Sequence, residues 1–297
     1  MRVEVESISD SIPSSIQERL IADVKTALQS IKTKNDQFIV NDTLWFWQNT
    51  AGKIRPTVVN SATYISKGFQ DSLERLGWEK EPTIDEQNFD ALIEFEVFSK
   101  TYSLSEDKFL TFLERLREGG FLDYGLQATA IYKQLVQSST PFLPKALLPF
   151  EGMLACSEDR YHYRVGLEFE TGNIASSFRA IEKLQGLYDS RKIDIGVFVT
   201  SQSKEDSAAR IWPVSNRNGS FVELRQRRYD ARRTYPHIDI SFRPDGYDRS
   251  SDYLADDHLY EMKFLGETLE VDGNNYEVAV NWKGERKLVP AQNPKLL

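Results

Sequence analysis

The chain has 297 residues, a formal net charge of −8, and 40% apolar, 28% charged and 12% aromatic residues, which is the balance of a globular protein with a sizeable core and excludes a disordered or repetitive chain. The acidic total weighs against nonspecific coating of nucleic acid, although a local basic cleft matters more than the total. One cysteine, Cys156, excludes an internal disulfide framework and a cysteine zinc site and reads as a buried small apolar residue, while no apolar run is long enough to cross a bilayer and MRVEVESISDSIPSS lacks a signal-peptide core, so a cytoplasmic protein without a membrane partner is expected.

Residues 14–33 place Ile16, Leu20, Val24, Leu28 and Ile31 at helical spacing behind Ser14 or Ser15 as a cap. DTLWFWQNTAGKIRP breaks that pattern, and Trp45 and Trp47 within it read as core or domain contact. A second helix is predicted through ATYISKGFQDSLERLGW, with Tyr64, Phe69, Leu73 and Leu76 on one side and Gly77 as its stop. A strand carrying Glu94-Phe95-Glu96 follows, then a helix over 105–118 capped by Ser105 and ended by Gly119-Gly120, and another within 126–137. STPFLPKALLP, with three prolines, is the best boundary in the chain.

Beyond it, RVGLEFET reads as a strand, Gly172-Asn173 as a turn, and IASSFRAIEKLQGLYDS as a helix with Ile174, Phe178, Ile181 and Leu184 inward. KIDIGVFVT is the nearly continuous apolar run of a strand buried on both faces. Together they predict a right-handed strand–helix–strand crossover. IWPV reads as a further strand, and the last forty residues as a β-meander with turns at 272–275 and 283–285. The expected fold is α/β, a mixed central sheet flanked by helices, with a mostly helical region over 1–140 that includes a strand contributing to the core, the core itself over 141–250 and a small β-meander appendage over 251–297.

Two segments share one acidic spacing: Asp85 with Glu94 and Glu96, and Asp159 with Glu168 and Glu170. In a strand, residues two apart share a face, with Cα atoms roughly 6.6 Å apart, so each Glu-Phe-Glu projects two carboxylates together with the phenylalanine behind them. An aspartate on a neighbouring strand or bend can complete a cluster of hard oxygen ligands suited to Mg²⁺. Solvent-facing acids on an amphipathic strand fit the spacing equally well. The helix and buried strand that follow Glu170, and that Glu96 lacks, favour the second set.

VGLEFETGNIASSFRAIEKLQ, KIDIGVFVTS and ARIWP together resemble the BglII/BamHI-like branch of the PD-(D/E)XK nucleases, the type II restriction endonucleases, in which a strand bears Glu-x-Glu or Glu-x-Gln in place of Glu-x-Lys. LERLGWEK at 73–80 is similar to the helix and Gly-Trp segment that family carries upstream of its active site. It lies about eighty residues before Asp159, so the region between reads as an insertion, and the usual proline before the aspartate is missing. The resemblance implies catalysis by Asp159, Glu168 and Glu170, with Asp159 and Glu168 holding Mg²⁺ against the scissile phosphate of double-stranded DNA and Glu170 orienting or deprotonating water, a lysine's task in most relatives. It also makes the core over 141–250 a nuclease core and implies specific cleavage to a 5′-phosphate and, for a palindromic target, a homodimer.

Arg225, Arg227, Arg228, Arg232 and Arg233 are candidates for phosphate contacts or guanine edges. Asp257 with Glu261-Met262-Lys263 imitates the Glu-x-Lys form but precedes no crossover. His162, His237 and His258 lack metal-ligand spacing, and no phosphate-binding Gly-rich loop is found, so no nucleotide cofactor is expected. Two rivals remain at this point: an inactive DNA-binding or interaction protein on the same fold, and a hydrolase using Glu168 and Glu170 as an acid/base pair.

Overall fold

The computed structural model describes every residue except 42, 44, 58–61, 85–86, 121–125, 139, 141–142, 144, 172–173, 203–219, 229–232, 253, 255–261, 282–283 and 292–297. Asp85, Gly172-Asn173, the IWPV segment, Arg232, Asp257, His258 and Glu261 therefore lie outside the described residues.

In chain order the main elements are β1 (Arg2–Ile8), α1 (Ser14–Gln29), β2 (Trp45–Gln48), β3 (Ile54–Thr57), α2 (Ala62–Arg75), β4 (Glu79–Lys80), β5 (Ala91–Ser103), α3 (Phe109–Glu118), α4 (Leu126–Tyr132), β6 (Ala155–Glu170), α5 (Ile174–Asp189), β7 (Ile195–Ser201), α6 (Phe221–Gln226), β8 (His237–Arg243), β9 (Lys263–Val271), β10 (Asn274–Val280) and β11 (Arg286–Pro290). The central sheet runs β1-β8-β7-β6-β5-β4. Its middle is parallel, β6 to β7 to β8, and its two sides are antiparallel. The strand–helix–strand unit β6-α5-β7 is thus present, and every residue of β7 is buried, as a strand covered on both faces requires.

Alternation along β6 assigns its two faces. Tyr163, Val165, Leu167 and Phe169 enter a core with Leu20, Val24 and Leu28 of α1 and Phe69 and Leu73 of α2. The intervening positions turn toward α5, where Ile181, Leu184 and Leu187 meet Phe198 of β7 and Leu92 of β5. Close packing of α5 explains Gly166, whose added Cβ would meet Ile193 and Leu184 at 3.3–3.5 Å. Gly196 is tighter still, with a Tyr235 ring carbon 2.5 Å from where a Cβ would stand.

The Gly-Trp segment locks α2 to α1. Gly77 takes φ +93°, and the Trp78 indole N–H donates to buried Asp23, which also receives the Arg19 guanidinium. Helix starts differ from expectation. α1 begins after Pro13, not behind a serine cap, and Ser105 precedes a 3₁₀ turn without a side-chain capping bond. Pro13 supplies neither side-chain oxygen nor N–H, but its fixed φ suits a helix start.

β5 and β6 form a long antiparallel hairpin, paired from Ala91 with Leu167 out to Ser103 with Ala155. At its far end Tyr102, Leu104, Phe112, Leu116, Leu135 and Leu154 make a separate small core. This is the region expected to be an insertion. Cys156 pairs with Tyr102 on the hairpin's outer stretch and is exposed, not buried as expected.

The C-terminal meander exists but is not self-contained. A five-stranded sheet runs β9-β10-β11-β2-β3, so residues 45–57 complete it, with Trp45 packed against Ala279 and Val289. The central sheet likewise draws strands from 2–8 and 91–103. The boundaries drawn at 140 and 250 therefore cut through both sheets.

Candidate active site

Glu168 and Glu170 stand at the carboxyl end of β6 and point to the α5 side. Glu168 pairs in register with Phe198 and Glu170 with Thr200. The Thr200 hydroxyl donates to the Glu170 carbonyl at 2.6 Å, which fixes the strand end. Glu168 is only 4% exposed, whereas Glu170 is half-buried.

Asp159 does not join them. β6 is unbroken from Ala155 to Glu170, and Asp159 pairs with Ser99 on the outer hairpin. Nine residues of strand separate it from Glu168, roughly 30 Å at about 3.3 Å per residue. The aspartate that does face Glu168 is Asp90. Ala91 pairs with Leu167, so the next position along the hairpin sets Asp90 opposite Glu168. Its carboxylate is pinned: Oδ2 accepts the Phe169 N–H at 2.7 Å, and Oδ1 accepts the Gln70 side-chain amide, from α2, at 3.2 Å.

Electrostatics mark the pair. Burial pushes the Glu168 carboxyl up to about 8, with the Asp90 and Glu170 charges pushing the same way and the Lys183 ammonium opposing them. Burial also raises Asp90, against the Phe169 N–H, Lys183 and the Gln70 amide. Two acids held together in a low-dielectric place at a strand end are the expected signature of a site that binds a cation. Glu168 Oε1 is buried without an aligned hydrogen-bond donor among the described residues. Among those residues no three His, Cys, Asp or Glu side chains converge as a ready cation cage. Asp90 and Glu168 thus offer two hard oxygen donors and leave other positions open, the pattern suited to Mg²⁺ with water and a phosphate.

The other Glu-Phe-Glu has a different fate. Glu94 takes the Arg164 guanidinium at 2.8 Å and lies 3.2 Å from His162 Nε2, and Glu96 is paired with Arg160. These are cross-strand ion pairs along the hairpin.

The arginines divide. Arg225 lies on α6, Arg227 caps its C-terminus and Arg228 follows, all exposed. Val222 N–H donates to the Gln202 carbonyl, one residue past β7, so α6 stands at the same end of the sheet as Glu170. Arg225 reaches the Glu6 carbonyl and covers the Phe221 ring at 4.8 Å. Arg233 is not a surface group. Its side chain is 4% exposed and grips Asp239 with two bonds of 2.6 Å, while Ser7 donates to the same carboxylate. Asp239 sits mid-strand in HIDISFR, where a buried acid demands a cation, and Arg233 answers that demand instead of facing a ligand.

A cleft of about 720 Å³ lies elsewhere, lined by Tyr161, His162, Arg164, Tyr188, Arg191 and Asp194, without Asp90 or Glu168. Sequence reasoning missed Asp90, Gln70 and Lys183. The signal for Asp90 was its place directly before a long strand, immediately downstream of the Gly-Trp segment.

The family model described as restriction endonuclease BamHI matches this chain over residues 1–236. No curated protein matches it.

Proposed function

Because the chain belongs to the BamHI restriction endonuclease family, we propose that it hydrolyses phosphodiester bonds of double-stranded DNA at a specific short sequence, with Mg²⁺. The observation that carries this is Asp90 set opposite buried Glu168, with Glu170 beside it at the strand end. Asp90 and Glu168 would hold the metal, with Asp90 in the place first given to Asp159. Held by these two carboxylates, Mg²⁺ would supply acidity to a bound water and positive charge against the phosphate.

Glu170, less buried than Glu168, accepts the proton of the attacking water. Gln70 and the Phe169 N–H keep Asp90 aimed at Glu168. Arg225, Arg227 and Arg228 contact backbone phosphates from α6, and a two-fold homodimer presents one such centre to each strand of a palindromic target. An acid/base pair of the glycosidase kind is disfavoured, because Glu168 and Glu170 share one strand face and cannot flank a bond from opposite sides. Incubation with mixed-sequence plasmid DNA tests the reading: discrete fragments with Mg²⁺ and none with EDTA are expected. Intact plasmid under both conditions, with folded protein, contradicts it.

A further inference from the structure

Lys183 lies in the middle of α5, and its side chain is 24% exposed. Its ammonium rests against Glu168 Oε1. The same ammonium donates to the Asn88 carbonyl at 2.7 Å and stands 5.0 Å from the centre of the Phe89 ring. Asn88 and Phe89 lead directly into Asp90. One cation therefore ties together the helix, the strand end that carries Glu168 and the segment that carries Asp90. It also lies against the buried oxygen that lacks an aligned hydrogen-bond donor. On that one oxygen the ammonium and a divalent cation would repel each other.

We propose that Lys183 is a tethered counter-ion, a positioning residue that holds Glu168 and the Asp90 segment together until a divalent cation takes over Glu168. This rests on the assignment of Asp90 and Glu168 as the metal-holding pair. Buried Glu168 and half-buried Asp90 carry like charge and repel, so the site without a cation would splay. A lysine on a flexible four-carbon stem supplies the charge and can leave when a stronger cation arrives. The segment Asn88-Phe89-Asp90 is then held by the Phe169 and Gln70 bonds to Asp90.

The test uses full-length wild type, Lys183→Met and Lys183→Arg without DNA. Thermal unfolding is followed in EDTA and in saturating Mg²⁺, and Mg²⁺ is titrated calorimetrically. Lys183→Met should unfold earlier than wild type in EDTA, and Mg²⁺ should recover more of the difference than it adds to wild type. Mg²⁺ should bind Lys183→Met about tenfold tighter than wild type, because one like-charge contact is gone. Lys183→Arg should stay close to wild type in both.

A deficit equal in EDTA and Mg²⁺, Mg²⁺ affinity unchanged or weaker in Lys183→Met, or failure of that variant to fold even with Mg²⁺ would overturn the assignment. Cleavage of plasmid by wild type is scored separately. Metal-for-ammonium exchange without cleavage would sink the nuclease reading and leave Lys183 in place; cleavage without exchange would do the reverse.

Discussion

The two Glu-Phe-Glu triplets lie on neighbouring strands of one hairpin, identical in sequence and opposite in circumstance. Glu94 is 43% exposed at its side chain and neutralised by Arg164 across the strand pair, with His162 Nε2 3.2 Å away. Glu168 lies beneath α5, faces another acid, and has its carboxyl pushed to about 8 by burial. Carboxylate spacing is therefore not what makes a cation site. A covering helix and a second acid facing the first do so, by making charge costly where water is excluded.

The largest separation between the triplets should appear in cleavage. Glu168→Ala should lower the rate by ~10²–10³-fold or more, on the scale of losing a group that stabilises charge in the transition state. Glu94→Gln should cleave like wild type, and digestion of the same plasmid under both enzymes reads the contrast.

Stability against pH sharpens it further. A carboxyl raised from 4.5 to about 8 makes the folded state bind more protons than the unfolded state between those values. Stability is therefore lost as pH rises through that window. Glu168→Gln in EDTA should gain on wild type from about pH 4.5 to pH 8, by on the order of 5 kcal/mol at most, and hold that gain above. Glu94→Gln should show no such pH-dependent gain, and urea melts at several pH values measure both.

Gln70→Ala removes the amide that steadies Asp90 and should cost roughly 10–100-fold in metal affinity or rate, the range for groups that orient a ligand. It should leave the fold intact. The smallest effect belongs to the first triplet itself. Losing one exposed pair of Glu94 should change stability by about 1 kcal/mol or less in thermal melts at moderate salt.

Much of the scaffold was legible because it rests on local periodicity. The buried β7, the helix after Glu170, the stop at Gly77 and the turns at Gly273 and Gly284 follow from apolar spacing and glycine backbone needs. Membership in the family was legible from the same stretch. Phe178, expected inward on α5, is 36% exposed, because the core-facing stripe there runs through Ile181, Leu184 and Leu187 instead.

Asp90 was not legible because the relevant neighbour is across the sheet, separated from Glu168 by the whole inserted hairpin end. The nine-residue spacing of Asp159 invites a bend, yet ACSEDRYHYRVGLEFE continues as one strand because β5 pairs with it without a break from Ala155 to Leu167. Arg233 looked like its neighbours in an arginine-rich run. Its burial is decided by Asp239 six residues later, a buried acid in a strand to which Arg233 is the cation paired among the described residues.

The central claim is that Asp90, and not Asp159, completes the site with Glu168. Plasmid cleavage in Mg²⁺ by Asp90→Asn and Asp159→Asn, each checked for folding, tests it most directly. Loss of fragments in Asp90→Asn with wild-type digestion by Asp159→Asn is the predicted result. Wild-type digestion by Asp90→Asn, or loss only in Asp159→Asn, would contradict it.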